Sequence, residues 1–476
     1  MSSAEHTGPL TETGPPGARR PPSPLRQLAA ASVGNAVEWY DWYAYSFLAV
    51  YFAEQVFPEG TGNSLVPLLS SFAVFAVGFF MRPIGGLLMG AVADRRGRRA
   101  ALTVTILLMG GGSLLVAVTP TYATAGVLAP VVLVVARLIQ GLSVGGEFAA
   151  STTFLVESAG PGRRGLFSSF QYVSTTIGQL LASGTAALLA TLLTEEQMGL
   201  WGWRVAFIGG ALLSLLGLWI RHGARETLPQ ALSSVRAGEA PFQALSSVRA
   251  GEAPFQALSS VRAGEAPTAA QQAAARPGLF EGLRRYPRQS LLICGITAGG
   301  TLAYYTWTTY LPTYAQVNVG FDKGEALTVG TISLVFFALL QPLGGMLSDR
   351  IGRKPLLLGF ALGFAVLAVP LLHLISDTFV SLLLVQCAGM VLLTGYTAVA
   401  AAVNAEIFPA RVRAAGIGFP YSLTVALFGG TAPYVGTWFK SAGHADLFPW
   451  YVAVLCLVSF CVYLALPETA RTTMDN

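Results

Sequence analysis

The sequence predicts an all-α membrane protein of twelve transmembrane helices in two pseudo-symmetric six-helix bundles. Three observations carry this. Charged residues make up 11% of the 476 residues and AVILMFWYC 53%, whereas soluble domains hold about 25% charge. Apolar stretches long enough for a bilayer core, which needs roughly 20 residues, recur twelve times. A basic turn, GxxxDRxGR followed by another base, occurs twice, at Gly90 to Arg99 (GAVADRRGRR) and at Gly345 to Lys354 (GMLSDRIGRK), 255 residues apart.

The twelve expected spans are 28-57, 65-91, 100-119, 124-157, 165-193, 202-221, 289-315, 326-347, 355-376, 379-407, 413-439 and 446-466. Residues 1-27 read as a disordered cytoplasmic tail, 28-221 as the first bundle, 222-288 as a cytoplasmic linker, 289-466 as the second bundle and 467-476 as a second cytoplasmic tail. With both termini inside, 24 of the 29 Lys and Arg fall on the cytoplasmic side, as retention of positive loops predicts. The net charge of +5 thus follows from topology and calls for no nucleic-acid partner.

No cleavable signal peptide is visible in the proline-rich first 26 residues. Cys294, Cys387, Cys456 and Cys461 lie in apolar segments without a CxxC pair, so free thiols are expected and no metal or cofactor is called for. The linker repeats ALSSVRAGEAPFQ at 231-243 and 244-256, and its first eleven residues at 257-267. Each unit is short and ends near a proline, which fits duplication within a tolerant loop better than a solenoid.

The halves also echo one another at a second place. Glu157 precedes Arg163, Arg164 and Gly165, and Glu406 precedes Arg411, Arg413 and Gly416. Repeated bundles that rock about a site near the bilayer midplane are a recurrent transporter plan. In the DRxGR turns, Gly90, Asp94, Arg95, Gly97 and Arg98, with Gly345, Asp349, Arg350, Gly352 and Arg353, form the expected conformational motif. Asp94 and Asp349 are placed to accept from helix amino ends or nearby Arg, as a latch.

An ionisable group at mid-membrane costs at least about 2.5 to 3.5 kcal/mol and is a functional candidate by default. The first helix carries Asn35, Glu38, Asp41 and Tyr45 at spacings of three and four, expected along one face. Glu38 and Asp41 come roughly 15 to 20 Å from the inner end, Arg137 of the fourth helix reaches a similar depth, and Glu147 lies roughly 15 Å further toward the cytoplasm. These four are the candidates for proton coupling, the carboxyls as carriers and Arg137 as switch partner. A static ion pair that fixes helix packing is the alternative. The second half offers Tyr304, Trp307, Tyr310, Tyr314, Tyr396, Asn404, Tyr421 and Tyr434. Tyr304, Trp307 and Tyr396 are expected to line a cavity, Tyr310 and Tyr314 to sit in the interfacial belt. Arg82, before Pro83, either attracts an anion or snorkels to the surface.

The paired turns resemble those of the major facilitator superfamily. GNAVEWYDWYAY at 34-45, FFMRPIGG at 79-86, RLIQGLSVGGEF at 137-148 and WGWRVAF at 201-207 resemble its metabolite:proton symporter branch. SSFQYVSTTIGQLLA at 168-182, TAGGTLAYYTWTTYLPTY at 297-314 and AEIFPARVRAAGIG at 405-418 are similar to the alpha-ketoglutarate permeases within it. The resemblance implies the major facilitator fold in the cell membrane, a cavity lined by the first, fourth, seventh and tenth helices, and proton-driven uptake of a small carboxylate by a monomer in the lipid bilayer. It implies an Asp41–Arg137 pairing like that of proton-coupled sugar porters. Candidate substrate contacts are Arg82, Arg137, Tyr40, Tyr172, Gln179, Tyr304, Trp307, Tyr396 and Asn404. Asn404 stands where the alpha-ketoglutarate permeases carry a Lys, which weakens the case for a dianion; a zwitterionic osmolyte such as proline or betaine is the alternative substrate. A metabolite-sensing receptor with the repeated linker as output is another class, and an exporter a third. No nucleophile–base pair, metal cluster or phosphate loop points to an enzyme.

Overall fold

Each long apolar stretch forms a helix because hydrocarbon offers the backbone no hydrogen-bond partners. The computed structural model describes residues 24–58, 63–96, 98–145, 151–153, 155–156, 159, 162–222, 284–408 and 413–470. Among them there is no β-strand. We number the membrane helices α1 (Pro24–Val56), α2 (Val66–Phe80 continuing as Arg82–Arg96), α3 (Arg98–Ala117), α4 (Leu128–Val144), α5 (Arg164–Leu192) and α6 (Trp203–His222). The second half holds α7 (Pro287–Tyr305, Thr306–Tyr310 and Leu311–Val319), α8 (Lys323–Ile351) and α9 (Lys354–His373). It is completed by α10 (Phe379–Ile407), α11 (Arg413–Thr424, Val425–Gly430 and Ala432–Ser441) and α12 (Leu447–Ala465). The four cysteines are free.

The irregular places in these helices sit just ahead of prolines. Pro83 has no N–H to offer the preceding turn, and α2, read from sequence as unbroken, is interrupted at Met81. Pro312 follows the widened turn Thr306–Tyr310, and Pro433 follows Val425–Gly430, as local π-geometry accommodates lost amide donors. Helix starts are capped: Asp322 accepts from the Glu325 amide at 2.8 Å to open α8, and Thr378 accepts from Ser381 to open α10. Arg204 donates to the carbonyls of Ala117 and Thr119 at 2.7 and 2.6 Å, closing the end of α3. α1 begins at Pro24, inside the stretch expected to be tail. α7 begins at Pro287, inside the stretch expected to be linker; the tail before α1, residues 223–283 and residues 471–476 lie outside the described residues.

Large apolar side chains such as Leu188, Leu339, Val366 and Leu384 are exposed around the bundle, the surface that lipid would cover. The halves pack through α5 against α8 and α10, α1 against α7, and α2 against α11. At the end that bears the second DRxGR turn, Gly165 and Gly345 bring α5 and α8 into backbone contact, a Cβ on Gly345 standing 2.6 Å from the Gly165 carbonyl oxygen. Ser168 accepts from the Ala402 amide at 3.0 Å beside it. At the opposite end Lys323 pairs with Glu195 at 2.7 Å. The halves are therefore joined at both ends.

Overpacking of this kind costs about 1 to 3 kcal/mol. Gly345→Val should accordingly raise the alkylation rate of a reporter thiol at Ser168→Cys roughly tenfold, read by timed labelling in membranes; an unchanged rate would mean the contact does not close this end.

Candidate functional site

The polar face of α1 divides three ways. A step of three residues falls about 60° short of a full turn, so Asn35, Glu38, Asp41 and Tyr45 do not share the single face expected. Asn35 donates to Ser174 of α5 at 2.7 Å, Asp41 accepts from Ser113 of α3, and Tyr45 donates to the Ser71 carbonyl of α2 at 2.9 Å. Residues four apart keep their facing better: Asn35, Trp39 and Tyr43 form one row, which Tyr43 carries to Tyr304 and Tyr305 of the second half. Trp39 donates to Asn35 at 3.0 Å and stacks on Tyr43 with centroids 5.4 Å apart.

Between the halves these residues meet a cage of phenols. The hydroxyls of Tyr43 and Tyr304 are 3.0 Å apart, and Tyr304 donates to Gln179 at 3.1 Å. Gln179 in turn donates to Thr308 and Thr309 at 2.9 and 3.2 Å. The Tyr304 ring lies edge-on to Tyr172 and Tyr305, each at 5.3 Å. Tyr396 and Tyr421 complete the group, both buried and both close to Tyr172. The Tyr396 hydroxyl has no hydrogen-bond partner.

One cation enters this cage. Arg82 is 2% exposed, its guanidinium carbon 5.2 Å from the Trp39 ring centre and 5.5 Å from that of Phe79. Tyr305 and Tyr421 lie within its electrostatic reach. It does not snorkel. The break at Met81, one residue ahead of it, resets the helix so that this side chain turns inward.

Several expected contacts lie elsewhere. Tyr40 donates to the Ala206 carbonyl of α6 at 2.9 Å, away from the cage. Trp307 donates to Val385 at 3.3 Å and packs on Phe364, so it binds α7 to α9 and α10 instead of lining the cavity. Tyr310 and Tyr314 are buried, Tyr310 bonded to Thr437 at 3.1 Å; neither is an interfacial residue. Asn404 is buried with neither side-chain oxygen nor nitrogen bonded. Tyr434 is exposed.

Arg137 and Asp41 are both fully buried inside the first half, yet no ion pair joins them. The Arg137 guanidinium lies 3.7 Å from the Tyr45 ring centre and 5.6 Å from that of Trp42, and its three nitrogens have no hydrogen-bond acceptor. Aromatic faces attract the cation and hold it off the carboxyl, though close enough to act on it through space. Glu38 is half-buried on the same helix. Glu147, Glu157, Gly97 and the side chains of Asp94, Arg95 and Arg98 lie outside the described residues. Gly90 faces open space.

The second DRxGR turn is a junction of carboxylates with helix ends. Asp349 accepts from the amides of Gly165 and Leu166 at 2.8 and 2.9 Å, capping a helix of the other half where the dipole favours a negative charge. Arg353 holds Asp349 at 2.8 Å and reaches Glu406 at 3.6 Å, with Arg164 of the first half 3.8 Å from the same carboxylate. Gly352, at a φ of 104°, makes the turn that a side chain would strain. Arg350 lies at the foot of α8. Glu468, in the stretch expected to be tail, accepts from the Arg353 and Lys354 amides at 2.8 and 3.1 Å.

The sequence reading passed over Tyr43, Tyr305, Ser113 and Glu468. Asn35, Trp39 and Tyr43 at intervals of four carried a signal for the first of these. Glu468 and Ser113 gave none, since their partners are distant in sequence.

Two six-helix bundles packed around a buried cage of phenols follow the plan of a membrane transporter. Comparison agrees: a family model described as sugar (and other) transporter matches residues 28–476, and the chain belongs to that family of the major facilitator superfamily. It is 38% identical over 447 residues to the alpha-ketoglutarate permease of Escherichia coli (strain K12), covering 93% of this chain and 94% of that one. It is 30% identical over 455 residues to the glycine betaine/proline/ectoine/pipecolic acid transporter OusA of Dickeya dadantii (strain 3937), covering 95% and 85%. The fold is that of the xylose transporter XylE from E. coli in a partially occluded inward open conformation. The TM-score is 0.66 at 20% identity, over 94% of this chain and 98% of that one.

Burial pushes the Glu468 carboxyl up, but the amides of Arg353, Ala470 and Lys354 and the Arg353 charge outweigh it and hold the group below the usual carboxylate range. A lowered value means that its contribution is present above the ordinary range and lost as pH falls through the lowered one. Glu468→Gln should therefore lower the Tm of the purified protein at neutral pH, by no more than about 1 kcal/mol of stability. The gap from the unaltered protein should close in acid, as a paired thermal-melt series would show.

Proposed function

We propose that the chain is a symporter that takes up a small carboxylate, a dicarboxylate such as alpha-ketoglutarate, together with protons. The DRxGR end and both termini then face the cytoplasm, the protein acting as a monomer in the cell membrane with no nucleic-acid partner. The observation that carries this is Arg82, a buried guanidinium set into the wall of a phenolic cage. A guanidinium binds carboxylate through paired N–H donors, and the hydroxyls of Tyr43, Tyr304, Tyr305, Tyr172, Tyr396 and Tyr421 offer further donors to a second carboxylate or a keto oxygen. The 38% relative named for alpha-ketoglutarate supports the same choice. Asp41 carries the proton and Arg137 is its switch partner, with Glu38 and Glu147 on its path. The junction of Asp349, Arg353 and Glu406 holds the halves together at the cytoplasmic end and parts when the site opens to that side.

A second reading has its own observation. Asn404 brings no charge to the site, and the aromatic faces of Trp39, Tyr43, Tyr304 and Tyr305 would suit the cation of a zwitterionic osmolyte; relatives named for proline and betaine transport are 28 to 30% identical. Proteoliposomes under an imposed inward proton gradient separate the two. Dicarboxylate should accumulate; accumulation of proline or betaine without it would overturn the first reading and support the second.

Two variants test the roles. Arg82→Gln removes a buried charge-assisted contact worth about 2 to 5 kcal/mol, so the apparent substrate affinity should fall at least about 30-fold. Asp41→Asn should abolish accumulation while counterflow of substrate persists. Unchanged concentrative uptake in that variant would remove Asp41 from the mechanism.

A further inference from the structure

We propose that Ser113 is a positioning residue for the proton on Asp41, serving the carboxyl in both its charged and its neutral form, with Gly210 keeping the space it occupies. This rests on the reading of Asp41 as the proton carrier. In the described structure Arg137 does not pair with Asp41; its closest polar partner is the Ser113 hydroxyl of α3, which donates to Asp41 Oδ2. The other oxygen, Oδ1, has no hydrogen-bond partner. It faces Gly210 of α6, where a Cβ would fall on the carboxyl.

Ser113 has the right surroundings for two states. Gln140 of α4 donates to its Oγ at 3.2 Å, and the Met109 carbonyl lies 3.2 Å away as a second acceptor. A hydroxyl has one proton and two lone pairs. With Asp41 ionised, Ser113 accepts from Gln140 and donates to the carboxylate. When a proton arrives on Oδ2, that O–H donates to the free lone pair of Ser113, whose own proton turns to Met109. The bond between the two side chains thus persists in both states with its direction reversed. A buried polar group without a partner is costly, so a carrier in hydrocarbon needs a neighbour that can reverse its role. Gln140, an amide, keeps one lone pair of Ser113 filled and so limits the hydroxyl to these two settings.

The electrostatic surroundings are sparse. Among the described residues the titratable groups acting on Asp41 are Arg137 from α4 and Tyr40 from its own helix. Glu38 stands on α1 one turn nearer the DRxGR end. α3 and α6 present Ser113 and Gly210 and α5 meets α1 through Ser174, none of them charged; α2 meets it through Ser71 and through Arg82, whose guanidinium lies over Trp39. The hydroxyl is thus the one neutral donor whose loss bears directly on the proton.

Ser113→Ala, Ser113→Thr and Ser113→Cys can be compared in proteoliposomes for proton-driven uptake across pH and for counterflow at fixed pH. A charge-assisted bond favours the ionised form more than its neutral counterpart. The Ser113→Ala midpoint should therefore move to higher pH by about one unit. Ser113→Thr, which keeps the hydroxyl, should restore it, and Ser113→Cys, a weak donor, should fall between. Counterflow in all three should persist, since the cage is untouched. An unchanged midpoint in Ser113→Ala with counterflow intact overturns the proposal. If Ser113→Ala is inactive, an unchanged midpoint in Ser113→Cys overturns it equally. If the unaltered protein shows no proton-driven uptake at all, it is the symport reading that fails.

Discussion

Hydrocarbon supplies no hydrogen bonds, and every polar group in this protein is placed under that constraint. The backbone meets it by forming helices. Side chains meet it by pairing across helices, so Asn35 finds Ser174, Tyr310 finds Thr437 and Trp307 finds Val385. Such pairs bind one helix to the next, and the protein's architecture is largely their sum. Among the groups that remain without partners, Oδ1 of Asp41, the Arg137 guanidinium and the Asn404 amide stand out against this background.

The two sets of charged groups in the chain meet the same constraint differently. At the DRxGR junction, carboxylates cap helix ends and share Arg side chains across the two halves, so each charge is balanced where it stands. Breaking the junction exposes these groups to water, which is a tolerable exchange at the membrane surface. Asp41 has no such option. Its balance depends on a hydroxyl and on a cation held aside by aromatic rings, an arrangement in which small helix shifts change which neighbour the carboxyl meets. One site suits opening and closing; the other suits gaining and losing a proton.

Legibility in the sequence followed the range of the physics. α10 begins and ends at the residues expected, 379 and 407, because a capping Thr378 and a polar segment mark its start locally. The widened turns before Pro312 and Pro433 and the break before Pro83 were legible in principle from the prolines alone. Facing was less so. Tyr40 and Trp307 have the chemistry of cavity residues, yet each spends its donor on a neighbouring helix of its own half. Tyr310 has the chemistry of an interfacial residue, but Phe448, Phe72 and Thr437 enclose it.

Composition, the spacing of apolar runs and the repeated turn determined by themselves that this is a two-bundle membrane protein whose acids and bases at mid-membrane depth fall in the first half. These are properties of single segments, set by the thickness of the bilayer and the cost of charge within it. Only the tertiary structure decided that Arg82 turns into the phenolic cage, that Asp41 is hydrogen-bonded by Ser113 and not by Arg137, and that Glu468 caps α9. Each of these depends on the rotation of one helix against another, and a rotation of 60° changes every partner while leaving the sequence pattern the same.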